Sequence, residues 1–534
     1  ENIIGRNCRI LSRAFIAEGV VIADECHIGE EAVLKANIKV WPHKLVDAGS
    51  TLSTSLVWGE KWNSVLFGAN GISGLANIEV TPEFAAKVGA ACGAFFGMRA
   101  NVATSRDSHK TSRLVNRALI SGILSSGCNV HDLQVMPVPV SRYQLTANNQ
   151  KGCIHTRISP YDSNMIEIHF YDSNGMSLSV SKQKSIERLF FREDFPRATS
   201  DETGTIHFPH RTLDMYVEGL RKYVNTDLIK KQSFKIVIDY AYSPASIIFP
   251  QVLGQLDAEA ISLNAFVDES RLSKDAISHS TSLRQLSTIV QSLNANFGVM
   301  LDVGAEKIFV VDETGRILSD DISLALMSYL VMSTGPKGSK IAVPVTASRI
   351  IEEMGKKMGV SVVRTKTSLS NMLQDGVNAG VSFIGDGSGG FVFPDFQAAS
   401  DGMIAICKLM EMLAATKKSV SDIIRELPAA HVLKVQVPCS WDFKGTVMRN
   451  LIEDTRDLNA QLIDGIKIFY ENTDWMLIIP DPDKPFFHIH VETDSPETSN
   501  RLLKEYSEKI KFWQIKEDSK NEDSQGTQSW QVDL

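Results

Sequence analysis

The chain has no apolar run approaching the ~20 residues that a membrane-spanning helix needs, and no secretory leader is visible at its start. It begins at Glu1 rather than Met, already inside a repeat, so further sequence upstream is expected. Cysteine is sparse: the seven residues at 8, 26, 92, 128, 153, 407 and 439 are odd in number and form no CxxC pair. That pattern argues against a disulfide framework and for reduced thiols and a cytoplasmic location. A basic excess is lacking too. Lys and Arg total 55 against 63 Asp and Glu, a net charge of −8 with no basic stripe, which speaks against a nucleic-acid partner. The rest is ordinary for a globular chain, with 43% apolar and 22% charged residues. Its 534 residues allow roughly three to five domains at ~100–150 residues each.

The first ordered signal is a repeat. Ile4, Ile10, Ile16, Ile22, Ile28, Leu34, Val40, Val46 and Leu52 recur every six positions. Period six fits neither a helix nor a simple hairpin. It fits short strands joined by tight turns, stacked coil on coil with the aliphatic residues inside. Gly5, Gly19, Gly29 and Gly49 fall where such turns need a permissive backbone. Trp41-Pro42, Trp58 and Trp62 are expected to cap the open end, since a bare last coil leaves unpaired strand edges. The pattern resembles the left-handed β-helix of hexapeptide-repeat transferases, and the handedness comes from that resemblance. Acyltransferases of this type need a catalytic histidine in a loop, for which His27 and His43 are the candidates. The alternative is a spacer and oligomer contact, which would make the protein a homo-oligomer.

Beyond the repeat, strand and helix patterns alternate. Thr81–Phe96 and Thr111–Ser126 read as helices, the second stopped by Gly127, and Val102–Asp107 and Val130–Val135 read as strands, so a mixed α/β layer is predicted. Met136-Pro137-Val138-Pro139 reads as a proline-rich turn. Further along, Phe297–Leu318 has two apolar arms around Asp302-Val303-Gly304-Ala305-Glu306-Lys307, a loop suited to a metal or a phosphate. This framing resembles the α-D-phosphohexomutases (phosphomannomutase and phosphoglucomutase), whose metal loop reads DGDGDR.

Further motifs carry the same resemblance. Gly68–Gly74 is similar to the family's opening GTSGIRG, with Ser73 where the phosphate-holding Arg stands. Ser105-Arg106-Asp107 resembles its GRD, which brings Arg106 in as a phosphate contact. The family's phosphorylated serine lies in TASHNP; here the segment is Cys153-Ile154-His155-Thr156-Arg157-Ile158-Ser159-Pro160. Ser159 serves as nucleophile if the loop slides, and is otherwise a turn residue before Pro160. Arg157 is either an anion-binding cation or half of a surface salt bridge.

The family binds Mg²⁺ through three aspartates, as hard oxygen ligands suit that ion. Asp302 and Glu306 are the counterparts that carboxylates still occupy, Gly304 supplies nothing, and Lys307 replaces the Arg, so Mg²⁺ binding is expected to be weak or absent. Phe383–Phe396 resembles the sugar loop GExSGH, with Asp386 for the Glu, Ser388 retained and Gly390 for the His. The phosphate loop RxSGTEP is replaced by Pro480-Asp481-Pro482-Asp483-Lys484-Pro485, where like charge opposes phosphate and Lys484 offsets one charge. His488 and His490 alternate on the next strand and read as a solvated face.

The fold class implied is α/β: a short left-handed parallel β-helix, then a four-domain phosphohexomutase-like fold of three mixed α/β domains and a C-terminal α+β domain. The expected boundaries are 1–66, 67–200, 201–318, 319–430 and 431–513, with a disordered tail at 514–534. Hexad coils before a mutase-like region resemble the mannose-1-phosphate guanylyltransferase-like proteins. That likeness implies an upstream nucleotidyltransferase domain as partner and hexose phosphates or nucleotide sugars as ligands. Changes at five points of one cleft point to a non-catalytic sugar-phosphate sensor or scaffold. The alternative is an active phosphomannomutase or phosphoglucomutase, an intramolecular phosphotransferase using Ser159 and Mg²⁺; a purely architectural role is the third reading.

Overall fold

The computed structural model describes all residues except 54, 57–60, 63–65, 69–70, 429–431, 471–473, 482–483 and 526–534, and the side chains of 61–62, 442 and 515–525. Between Ile3 and Leu52 the chain makes nine two-residue strands, one per hexad. They pair in parallel on three faces: Ile3 with Val21 and Val21 with Lys39 on one, Arg9 with His27 and His27 with Leu45 on the next, Phe15 with Val33 and Val33 with Thr51 on the third. Six of the hexad residues, Ile22 through Leu52, are buried in the middle of this stack, whereas Ile4 and Ile10 are exposed. The turns also keep the six-residue beat, because Asn7, Arg13, Gly19, Glu25, Glu31, Asn37, His43 and Gly49 all have positive φ.

One expectation needs correction here. Gly5 and Gly29 do not supply positive φ; a Cβ at Gly29 would sit 2.3 Å from Ala48 N, so that glycine admits the next coil's backbone. Trp41 is about half exposed, at 52%, while Trp58 and the Trp62 ring, the rest of the expected cap, lie outside the described residues. His43 is exposed and paired with Glu25 at 2.9 Å, a surface contact.

The chain divides into two compact units, 1–318 with 390–419, and 319–389 with 420–534. In the first unit, beyond the hexad stack, lies a mixed six-stranded sheet. Its order is Ile72–Leu75, Met165–Asp172, Gly152–Ile158, Asn101–Arg106, Asn129–Val135, Ile206–His207. The first three run antiparallel to one another; from Gly152–Ile158 onward all run parallel. Helices Pro82–Phe96 and Lys110–Ser125 pack together over its core, the first capped by Thr81, whose side chain accepts the Phe84 amide. Met136–Pro139 is not a free turn: Val138 starts the helix Val138–Ala147, with the two prolines at its entry, where their missing N–H groups cost nothing.

A second sheet in this unit runs Glu259–Leu263, Lys235–Asp239, Phe297–Leu301, Ile308–Asp312, parallel until the closing antiparallel hairpin. Every residue of Phe297–Leu301 is buried, which explains its unbroken apolar run. The hairpin's loop is the segment 302–307.

The second unit contains the parallel strands Ser361–Thr365, Lys340–Pro344 and Phe383–Gly385. It also contains an antiparallel sheet ordered Val432–Pro438, Phe486–Glu492, Trp475–Pro480, Ile466–Phe469, Ala460–Leu462. Buried Glu492 ties these parts, accepting Ser348 Oγ at 2.5 Å, the Arg349 amide at 2.9 Å and Trp475 Nε1 at 2.7 Å. Helix Pro496–Gln525 extends past residue 514, and the rest of the expected tail, 526–534, lies outside the described residues. No helix among the described residues is long and apolar enough to cross a membrane.

Candidate functional site

The loop 302–307 is folded around one carboxylate oxygen. Asp302 Oδ1 accepts the backbone amides of Glu306 at 2.7 Å and Lys307 at 2.8 Å, and Ala305, at positive φ, makes the turn. The Gly304 carbonyl accepts the Val138 amide at 3.2 Å, and the Ala305 carbonyl accepts the Gly402 amide at 2.8 Å, so the loop is anchored on both sides.

Against it stands the C-terminal end of the strand Gly152–Ile158. Buried Asp107 fixes that end: its Oδ2 accepts the Ile158 amide at 2.7 Å and its Oδ1 the His109 amide at 2.9 Å. Strand pairing sets Arg157 opposite Glu167. The Arg157 guanidinium gives Nε to Glu167 Oε2 at 2.9 Å and Nη1 to Glu306 Oε2 at 3.2 Å. Fully buried Arg142 approaches the other oxygen of Glu306 at 3.5 Å; it also donates Nε to the Gly175 carbonyl at 2.6 Å and lies over the Tyr171 ring. His169 Nε2 lies 3.0 Å from Glu167, which only accepts when ionised, so that nitrogen carries the hydrogen.

The charges reinforce one another. Burial pulls the Arg157 pKa down, but Glu167 and Glu306 outweigh it and the guanidinium is held charged beyond its ordinary range. Burial pushes Glu167 up, but His169 and Arg157 overcome it, leaving its pKa at about 2. Burial first, then the Arg157 charge, lowers the pKa of His169 against the pull of Glu167. Burial and the Glu306 charge raise that of Asp302.

Because Glu167 falls from 4.5 to about 2 on folding, its stabilisation is complete above pH 4.5 and is lost as pH drops toward 2. Urea unfolding followed across that window is expected to show a falling stability in the native chain. A flatter slope is expected in Glu167→Gln; equal slopes would remove Glu167 from the acid response.

The structure sorts the sequence candidates as follows. Arg157, Asp302, Glu306 and Ser159 converge, with Lys307 beside Asp302. Arg157 is therefore in a buried network and not in a surface salt bridge. Ser159 is buried, its amide bonded to the Met165 carbonyl at 2.8 Å and its hydroxyl near Glu167. Arg106 does not join them: its Nη1 donates to the Asp107 carbonyl at 2.9 Å, and Arg113, Arg117 and Asp132 are its charged neighbours.

In the second unit Asp386 takes the Ser388 amide at 2.7 Å and the Ser388 hydroxyl at 2.9 Å, so the two candidate sugar contacts bind each other. Lys484 is exposed, and its amide donates to Asp481 at 2.8 Å; Pro482 and Asp483 lie outside the described residues. His488 bonds Asp481 at 2.8 Å, and burial lowers the His490 pKa to about 4, so these are partly buried neighbours and not a solvated face.

Arg142, Glu167 and His169 were not singled out from sequence, and Asp107 entered only as part of the GRD-like triplet. Glu167 was detectable only through the strand register that opposes it to Arg157. A separate cavity of about 390 Å³, lined by Asn101, His131, Gln144, His207 and His210, opens at the other end of the six-stranded sheet, away from these groups.

Whether this loop suits Mg²⁺ can be tested on its atoms. The ion wants near-octahedral oxygens at about 2.0–2.1 Å. Asp302 Oδ1 is committed to two amides, Glu306 has a guanidinium facing each oxygen, and Gly304 has no side chain. No group of three or more His, Cys, Asp or Glu with metal-holding geometry occurs among the described residues. These residues do not fit the ion.

Comparison with known proteins agrees with the architecture. Family models described as phosphoglucomutase/phosphomannomutase, alpha/beta/alpha domains I, II and III match residues 64–197, 214–315 and 319–431. A phosphoglucomutase/phosphomannomutase of Thermococcus kodakarensis is 29% identical over 445 residues, covering 82% of this chain and 96% of that protein. A phosphoglucosamine mutase of Methanocaldococcus jannaschii is 28% identical over 441 residues, covering 81% and 96%. The crystal structure of a phosphoglucomutase/phosphomannomutase family protein from Burkholderia thailandensis shares the fold, with a TM-score of 0.74 at 20% identity over 84% of this chain and 97% of that one. With three successive domains matched in order, residues 64–431 of this chain belong to the phosphoglucomutase/phosphomannomutase family, the phosphohexomutases.

Proposed function

We propose that this chain handles α-D-hexose phosphates in a phosphohexomutase frame, with the end of strand 152–158 and the loop 302–307 as the reacting or binding face. The observation that carries this is the convergence of Arg157, Ser159, Asp302 and Glu306 from separate segments of the first unit. The relatives from Thermococcus kodakarensis and Methanocaldococcus jannaschii are named as a phosphoglucomutase/phosphomannomutase and a phosphoglucosamine mutase, which favours intramolecular phosphoryl transfer over the sensor or scaffold reading. In that reading Ser159 carries the phosphoryl group and Lys307, in the same unit, supplies a contact to phosphate; Asp386, Ser388 and Lys484 are candidate sugar or phosphate contacts of the second unit by itself.

A specific observation favours the second reading, binding without transfer. Glu167, the carboxylate beside Ser159, is held at about 2 and is a weak proton acceptor for a serine that must become a nucleophile. The stack of hexad coils ahead of the mutase frame supports the finer kinship with mannose-1-phosphate guanylyltransferase-like proteins and the same class of ligand.

One experiment separates these. The full chain is assayed for turnover of α-D-mannose 1-phosphate and α-D-glucose 1-phosphate with Mg²⁺ and the hexose bisphosphate, and titrated calorimetrically with the same sugars and with nucleotide sugars. Transfer predicts turnover that Ser159→Ala abolishes. Binding alone predicts heat without turnover. Neither heat nor turnover with any of these sugars would end the proposal.

A further inference from the structure

The Arg157 guanidinium lies among the side chains of the loop 302–307, paired with Glu306 at 3.2 Å. A Cβ placed on Gly304 would lie 3.2 Å from Arg157 Nη1, 3.1 Å from Glu306 Oε2 and 3.3 Å from Asp302 Oδ2. A side chain at 304 would therefore enter the space between the guanidinium and the two carboxylates, and these side-chain ends would have to give by a few tenths of an ångström to admit it. The two remaining carboxylates are turned to the same cation: Glu306 is paired with it, and Asp302 feels its charge directly. Glu167 and the strand register hold the guanidinium from the far side, so it is not free to swing out as an unpaired surface arginine would.

We infer that Arg157 is a built-in, covalently tethered replacement for the metal cofactor, so that this chain takes a hexose phosphate monoester without a divalent ion. An arginine suits the role for physical reasons. It stays protonated at any ordinary pH and presents several donors in a rigid fork, so it holds carboxylates on one edge and offers the rest of its charge to a phosphate. It cannot do what a metal does by direct oxygen coordination, and it brings no dependence on metal supply. The Gly304 and Arg157 positions then belong together, since a side chain at 304 would enter the space beside the guanidinium. This inference rests on the hexose-phosphate reading for its ligand, but its statement about metal stands on the loop alone.

The test has a metal arm and a ligand arm, both on the full chain. In the first, Mn²⁺ binding is followed by electron paramagnetic resonance and by thermal melting. The native chain is expected to bind no ion at this loop, with a melting temperature unchanged by Mn²⁺ or by EDTA. The double variant Arg157→Ser/Gly304→Asp is expected to bind Mn²⁺ and to melt higher in its presence, and adding Asp302→Asn should abolish both effects. Mn²⁺ bound by the native chain and lost on Asp302→Asn would overturn the inference whether or not the double variant folds. A folded double variant that binds no Mn²⁺ would overturn it as well. In the second arm, α-D-mannose 1-phosphate is titrated in EDTA and in Mg²⁺; equal affinity is expected, and binding seen only with Mg²⁺ would sink the idea. If no hexose phosphate binds in either buffer, the proposed function falls while the metal arm still decides this inference.

Discussion

Glu167→Ala is expected to lower the unfolding free energy by about 3–5 kcal/mol, the range for stranding one member of a buried ion pair. The side chain of Glu167 is 5% exposed and that of Arg157 14%, so solvent cannot re-cover the charge that remains. The truncation removes the partner at Nε and also the acceptor of the His169 hydrogen bond. Glu306 still pairs with Arg157 but is shared with Arg142, which places the effect toward the lower end of the range. Replacing both members, Arg157→Met with Glu167→Met, is expected to recover much of the loss, because two buried charges leave together and Arg142 still serves Glu306. Urea unfolding of Arg157→Met, of Glu167→Met and of the double variant closes the cycle, beside Glu167→Ala as the truncation. A loss below ~1 kcal/mol in Glu167→Ala would mean that the pair behaves like a surface bridge, and the tethered-cation account would lose its rigidity.

The second large effect concerns the scaffold under the site. Helices Pro82–Phe96 and Lys110–Ser125 meet backbone to backbone at Gly89 and Gly122. A Cβ on Gly122 would sit 2.0 Å from the Ala86 carbonyl oxygen and 2.8 Å from the Ala90 amide nitrogen; one on Gly89 would sit 2.2 Å from the Leu119 carbonyl oxygen. Gly122→Ala gains about 1 kcal/mol of helix propensity. It must also push two packed helices apart, and overpacking of a tight core costs about 1–3 kcal/mol and sometimes more. Since the obstacle is backbone, which cannot rotate aside, the clash is expected to win and the chain to unfold at lower urea. The control is Gly254→Ala in the helix Ala245–Gln255, where nothing lies within 4 Å of the added carbon. There the propensity gain stands alone, and a rise of up to about 1 kcal/mol is expected. If Gly122→Ala stabilised as Gly254→Ala does, the close crossing would be wrong.

Much of the frame was readable without coordinates because it is written in local periods. The six-residue beat became a three-faced parallel stack, and the five apolar residues Phe297–Leu301 became a fully buried strand. Turn and cap chemistry was legible for the same reason: Thr81 opens a helix and Gly127 closes the next at positive φ. The errors lie where a local pattern has a non-local cause. Gly29 looked like a turn glycine but is there to let the following coil approach.

Sequence by itself determined the order of elements, the family frame and the erosion of the metal loop, since each depends on residue types a few positions apart. Tertiary structure alone decided that Arg157 meets Glu167 and Glu306, that Arg142 joins them from a helix, and that a guanidinium lies beside Gly304. The physical reason is that these groups lie on segments far apart along the chain, and Coulomb attraction between them has no period to read. Only strand register and burial bring the charges close, and only burial makes their meeting strong.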